Sequence, residues 1–202
     1  MKYPNAYKGV KKIFLAEILM LLGALLSIAA VIILSTGGVT ISGIFAIAVP
    51  ILALIAFILN LVGVINCRKD DESFRFALYV TLIGIVCSII SAIFSTNETL
   101  VVWMQLVQTL CNLFASYYIL GGIANLAGTY PDNATKELAL KARSLLIFTF
   151  LASAIIRLIR NIFNIQNEVV LLILGIVILV LEIVSYVLYL RALAAGKNML
   201  AN

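Results

Sequence analysis

Residues 157, 160, 161, 164 and 168 are Arg, Arg, Asn, Asn and Glu. Their spacing of i, i+3, i+4 and i+7 sets them on one helix face, opposite Leu158, Ile159, Ile162, Phe163 and Ile165. Two guanidinium groups so placed suit phosphate or another anion. Arg157 and Arg160 have two open readings. Their stems lie along the apolar face while their heads reach lipid headgroups, or the stripe turns inward and lines a wet outer cavity that prefers anions.

A second stripe, Gln105, Gln108, Thr109, Asn112 and Ser116, also keeps helical spacing. Unpaired amides in hydrocarbon cost several kcal/mol each, so this face is expected to avoid lipid. It either bonds neighbouring helices, or lines the same cavity as the arginines. Glu182 is the deepest acid, with Ser185, Tyr186 and Tyr189 extending its face. A carboxylate within a membrane is a candidate proton carrier or cation ligand. The alternatives are a neutral, hydrogen-bonded Glu182 or a pair with Arg143 or Arg75. Glu17 lies only a turn inside its own apolar run, and is expected to reach the interface.

The elements that hold these residues follow from composition. The 202-residue chain is 64% hydrophobic and 11% charged, with a mean hydropathy of +1.18. Soluble domains are about half apolar and a quarter charged, so a bilayer is the natural solvent. A spanning helix needs roughly 20 apolar residues. Six stretches qualify, at about 13–34, 41–66, 74–95, 100–128, 138–162 and 169–192. The expected fold is an all-α, polytopic integral membrane protein: one transmembrane domain over residues 1–202, built as a six-helix bundle. The first stretch has a basic leader, but its apolar run exceeds the usual 7–15-residue signal core, and it reads as a retained helix.

Of the 14 Lys and Arg residues, all but Arg157 and Arg160 fall before residue 13, at 68–75, at 136–143 or after 190. The positive-inside rule then predicts a cell-membrane protein with both termini cytoplasmic. The excess positive charge should favour anionic lipid over nucleic acid.

Gly23 and Ser27, and Thr81, Gly84, Ser88 and Ser91, are small residues at close to four-residue spacing and predict close helix approach. Pro50 should kink the second helix. ILNLVG at 58–63 resembles IANLAG at 123–128, which suggests three helical-hairpin repeats. The Pro-x-acid-x-x-basic element of mitochondrial carriers is absent.

The chain has no histidine, no G-x-x-x-x-G-K-[ST] loop and no CxxC pair among Cys67, Cys87 and Cys111. The segment RKDDESFR at 68–75 reads as a solvated turn rather than a metal site. No catalytic pair, metal or cofactor is expected, and the chain is not read as an enzyme. The leading expectation is a transport or binding protein for a small anionic or polar solute. Its outward vestibule is lined by Gln105, Gln108, Asn112, Arg157 and Arg160, with Glu182 as an inner charge. The alternative is a non-catalytic scaffold or accessory subunit for another membrane protein.

Overall fold

The computed structural model describes residues 2–35, 39–162 and 168–201, with side chains for 2–35, 43–156 and 169–201. Six helices account for nearly all of them: α1 (Pro4–Ser35), α2 (Val39–Cys67), α3 (Glu72–Ile93), α4 (Glu98–Thr129), α5 (Asn133–Ile162) and α6 (Glu168–Ala201). Each is long and apolar enough to cross a membrane, and no strand occurs among the described residues. The fold is therefore all-α, as the apolar runs require.

Two helices outrun their apolar stretches. α1 starts at Pro4 rather than near residue 13, and α6 runs to Ala201 rather than stopping near 192. Hydropathy marks the chain that meets lipid; it misses amphipathic turns that continue past the bilayer. Ala6, Gly9, Val10 and Ile13 bury one side of the first turns of α1, while Lys8 and Lys11 stay exposed. The tail of α6 buries Ala192, Leu193, Met199 and Leu200 in the same way.

The helices close a ring in chain order. Each packs on its neighbours in sequence, α1 meets α6, and α4 also touches α6 across the ring. The α1–α2 and α3–α4 hairpins are the most closely packed pairs, whereas α5 leans about equally on α4 and α6. The third hairpin is thus less distinct than the repeat reading suggested. ILNLVG and IANLAG are also not equivalent: Asn60 lines a cavity, whereas Asn125 is exposed and bonds Asp71 and Ser73.

The packed core sits at one end. Ala6 and Val10 of α1, Cys67 of α2, Phe74 of α3, Ala139 of α5 and Leu200 of α6 join one cluster. Both termini and the α2–α3 and α4–α5 connections therefore share this end, which also carries the basic loops. Toward the other end the apolar side chains stay uncovered, as with Val31 and Ile93, each 68% exposed. That pattern costs dearly in water and little in lipid.

Glycines set the closest crossing. A β-carbon on Gly9 would lie 2.5 Å from the Gly63 carbonyl oxygen and collide with the Cys67 sulfur; one on Gly63 would lie 2.8 Å from the Gly9 carbonyl oxygen. α1 and α2 meet here backbone to backbone, as small residues in membrane helices allow.

The acids of the α2–α3 turn do structural work. Asp70 accepts from the Ala6 backbone N–H at 2.6 Å and from Asn5 Nδ2 at 3.2 Å, so it caps α1 from a distant part of the chain. Asp71 caps α3 by accepting from the Ser73 N–H at 2.8 Å, and also accepts from Asn125 Nδ2 at 3.2 Å. Arg68, Lys69, Glu72 and Arg75 are exposed, whereas Phe74 joins the core and two of the carboxylates, those of Asp70 and Asp71, are committed to helix ends. No group of three metal-ligating side chains occurs among the described residues.

Candidate functional site

Above the packed end lies an open cavity of about 370 Å³, bounded by α1, α2, α3, α4 and one residue of α6. α3 and α4 give it polar walls. On α3, Thr81, Gly84 and Ser88 face it. The Thr81 hydroxyl donates to the Ala77 carbonyl at 2.8 Å, and Ser88 donates to the Gly84 carbonyl at 3.0 Å. A hydroxyl bonded back to its own helix has used its proton, so each oxygen offers the cavity a lone pair. On α4, Gln108, Asn112 and Ser116 face it, three or four residues apart. Asn60 of α2 adds a third amide. The side-chain amides of Asn60, Gln108 and Asn112 make no hydrogen bond among the described residues.

The floor holds the charge. Glu17 of α1 lines the cavity, and the Tyr186 hydroxyl of α6 stands 3.3 Å from its Oε2 and 3.0 Å from its backbone carbonyl. Tyr189 also lines the floor and is only 4% exposed. Its hydroxyl oxygen is buried and has no hydrogen-bond partner. Its ring lies 6.5 Å from that of Tyr186. The lining contains one carboxylate and no Lys or Arg.

The residues singled out by spacing divide three ways. Gln108 and Asn112 line the cavity together with Ser116, whereas Gln105 and Thr109 of the same stripe lie outside the lining; Asn112 is nonetheless exposed to the surroundings, as those two are. Arg157 and Arg160 belong to α5, and their side chains lie outside the described residues. No described α5 residue lines this cavity. Glu182 is exposed and outside the lining, although it precedes Tyr189 by seven residues and so shares its face two turns away.

Glu17 corrects the expectation that it reaches an interface. Position along the apolar run measured its depth, but the helix register decides where it points. Gly9, Ala16 and Gly23 are buried at seven-residue intervals on α1 and mark its packed face. Glu17 adjoins that stripe, and this periodicity was the available signal.

Other buried polar groups lie apart from the cavity. Arg143 of α5 lays its guanidinium 3.6 Å from the Tyr117 ring centroid, with its Nε buried and unpaired. Thr149 and Ser185 also bury hydroxyls without partners.

Comparison of the chain with protein-family profiles, with curated proteins and with solved structures gives no match.

Proposed function

We propose that this bundle binds a small polar solute in the cavity between α1, α2, α3, α4 and α6 and carries it across a cell membrane, with both termini on the cytoplasmic side. The observation that carries the reading is the company kept there: three unbonded amides and a buried, unpartnered tyrosine hydroxyl face one hollow. Polar groups in a membrane span cost free energy unless something bonds them. A bound solute and its water satisfy them, and a volume of about 370 Å³ is at the small end of the range for ligand pockets. The orientation rests on the basic residues that cluster at the end bearing the termini.

The test is uptake into proteoliposomes of a labelled panel of small amines, amides and carboxylates. At least one should accumulate with the wild-type protein. The double substitution Gln108→Leu and Asn112→Leu should cut that uptake at least tenfold while leaving thermal unfolding nearly unchanged. A panel that never accumulates, or uptake indifferent to the double substitution, ends this reading.

A scaffold role is the second reading. Gly175 of α6 is exposed, with open space where a β-carbon would stand, so another membrane helix could approach there.

A further inference from the structure

The charge class of the solute follows from the lining, granted the reading of the cavity as a binding site. We propose that it takes a small organic cation of the ammonium class, with the Glu17 carboxylate as counter-ion and the rings of Tyr189 and Phe57 as its aromatic walls.

Two independent features point to a cation. Glu17 is the charged group of the lining, and no Lys or Arg opposes it there. The Thr81 and Ser88 hydroxyls have spent their protons on their own helix, so they present acceptors. Tyr189, only 4% exposed, keeps an unpartnered hydroxyl that can donate or accept, and so leaves the charge class to the other two features. The carboxylate and the two acceptor hydroxyls favour a ligand that donates hydrogen bonds or carries positive charge. Phe57 and Tyr189 also line the cavity, and aromatic rings attract ammonium groups through their quadrupoles. Carboxylate plus aromatic faces in a partly desolvated hollow is the chemistry that recognises substituted ammonium ions.

Glu182 strengthens the field. It lies exposed on the Tyr189 face of α6, two turns nearer the open end and outside the lining, so its charge acts on the cavity at long range. This departs from the anion preference that Arg157 and Arg160 suggested.

The experiment needs no knowledge of the natural ligand. Ser88 is replaced by Cys, and the thiol is modified in nanodiscs by two methanethiosulfonates of similar size. One carries a trimethylammonium head, the other a sulfonate. The native Cys67, Cys87 and Cys111 are buried, and wild-type protein supplies the background. Rates are divided by those for a free thiol in solution. The cationic reagent is expected to react about tenfold faster than the anionic one. Glu17→Gln should bring that ratio toward one, and Glu17→Asp should preserve it.

Labelling by both reagents at equal relative rates leaves the cavity in place and overturns the cation assignment, as does faster labelling by the sulfonate. Labelling by neither overturns the cavity reading itself. Should Glu17→Gln fail to fold, choline and its uncharged carbon isostere are compared as protectants of Ser88→Cys with Glu17 intact. Protection by choline alone supports the assignment, and equal protection by both overturns it.

Discussion

The Tyr186 hydroxyl stands 3.3 Å from Glu17 Oε2, so the one acid of the cavity floor is tied from α1 to α6. The same hydroxyl reaches the Glu17 carbonyl at 3.0 Å, which fixes the α1–α6 contact as well as the carboxylate. Tyr186→Phe keeps the ring and deletes this link. Hydrogen bonds between membrane helices are worth about 0.6–2 kcal/mol, so a loss of that size is expected in detergent unfolding. A double-mutant cycle with Glu17→Gln should give a coupling of similar magnitude. Additive losses would show that the two groups do not act on each other.

The Gly9–Gly63 crossing makes a sharper stability prediction. A methyl on Gly9 must push away the Gly63 carbonyl, the Cys67 backbone nitrogen and the Cys67 sulfur; the first two are backbone and the third belongs to a fully buried side chain. Gly9→Ala should cost about 1–3 kcal/mol, the usual range for an overpacked core. Gly23→Ala is the control, because its added β-carbon would meet nothing within 4 Å. Equal effects at the two positions would mean that α1 and α2 do not cross at Gly9.

Asp70 caps a helix to which it is not joined in sequence. Asp70→Ala frees the Ala6 N–H and the Asn5 amide, and should cost about 1 kcal/mol, as other cap losses do. The damage should be local: backbone amides at the start of α1 should exchange faster with deuterium, while those of α3, capped separately by Asp71, keep their protection. Exchange that rises equally in both helices would refute separate caps.

Asp132 gives the bundle a response to acid. Thr135 donates to it from both its hydroxyl, at 2.7 Å, and its backbone N–H, at 3.1 Å, and these bonds hold the carboxyl below its ordinary range. A lowered folded value means that the carboxylate's contribution is fully present above the unfolded value of about 4. It is lost as pH falls through the lowered value. Thr135→Val should therefore reduce stability at neutral pH and flatten the acid limb of the stability curve below about pH 4. A limb that keeps its slope in the variant would assign the acid response to other carboxyls.

The fold was legible because lipid leaves a coarse mark. Six runs of Leu, Ile and Val give six helices, since a span must satisfy its backbone internally. The amphipathic ends of α1 and α6 were hidden from hydropathy, because their buried Ala, Gly and Leu alternate with Lys, Arg and Asn. The cavity was half legible. Gln108, Asn112 and Ser116 declare themselves as amides and a hydroxyl on one face of α4. Which helices stand opposite is a matter of ring order and tilt, and neither is written in any one segment. Hence Glu17, Asn60 and Tyr189 joined the lining unannounced, and Gln105, one turn too far along α4, fell outside it.

The two acids of the membrane spans should behave oppositely when made apolar. Glu17 accepts from Tyr186 and sits at the cavity floor, whereas Glu182 is exposed and has no hydrogen bond or ion pair among the described residues. Glu182→Leu removes a carboxyl from a helix already lined with leucine, isoleucine and valine. It should leave unfolding within about 0.5 kcal/mol of wild type, or stabilise the protein by easing a polar group out of the bilayer. Glu17→Leu leaves the Tyr186 hydroxyl without its side-chain acceptor and adds an apolar group beside Asn112 and Ser116, and should cost more than 1 kcal/mol. Cation-selective labelling of Ser88→Cys should follow the same order, weakened in Glu182→Leu and abolished in Glu17→Leu. If Glu182→Leu proves the more destabilising of the two, its carboxyl is bonded in the membrane. The α6 face it occupies would then be a contact surface rather than one open to lipid.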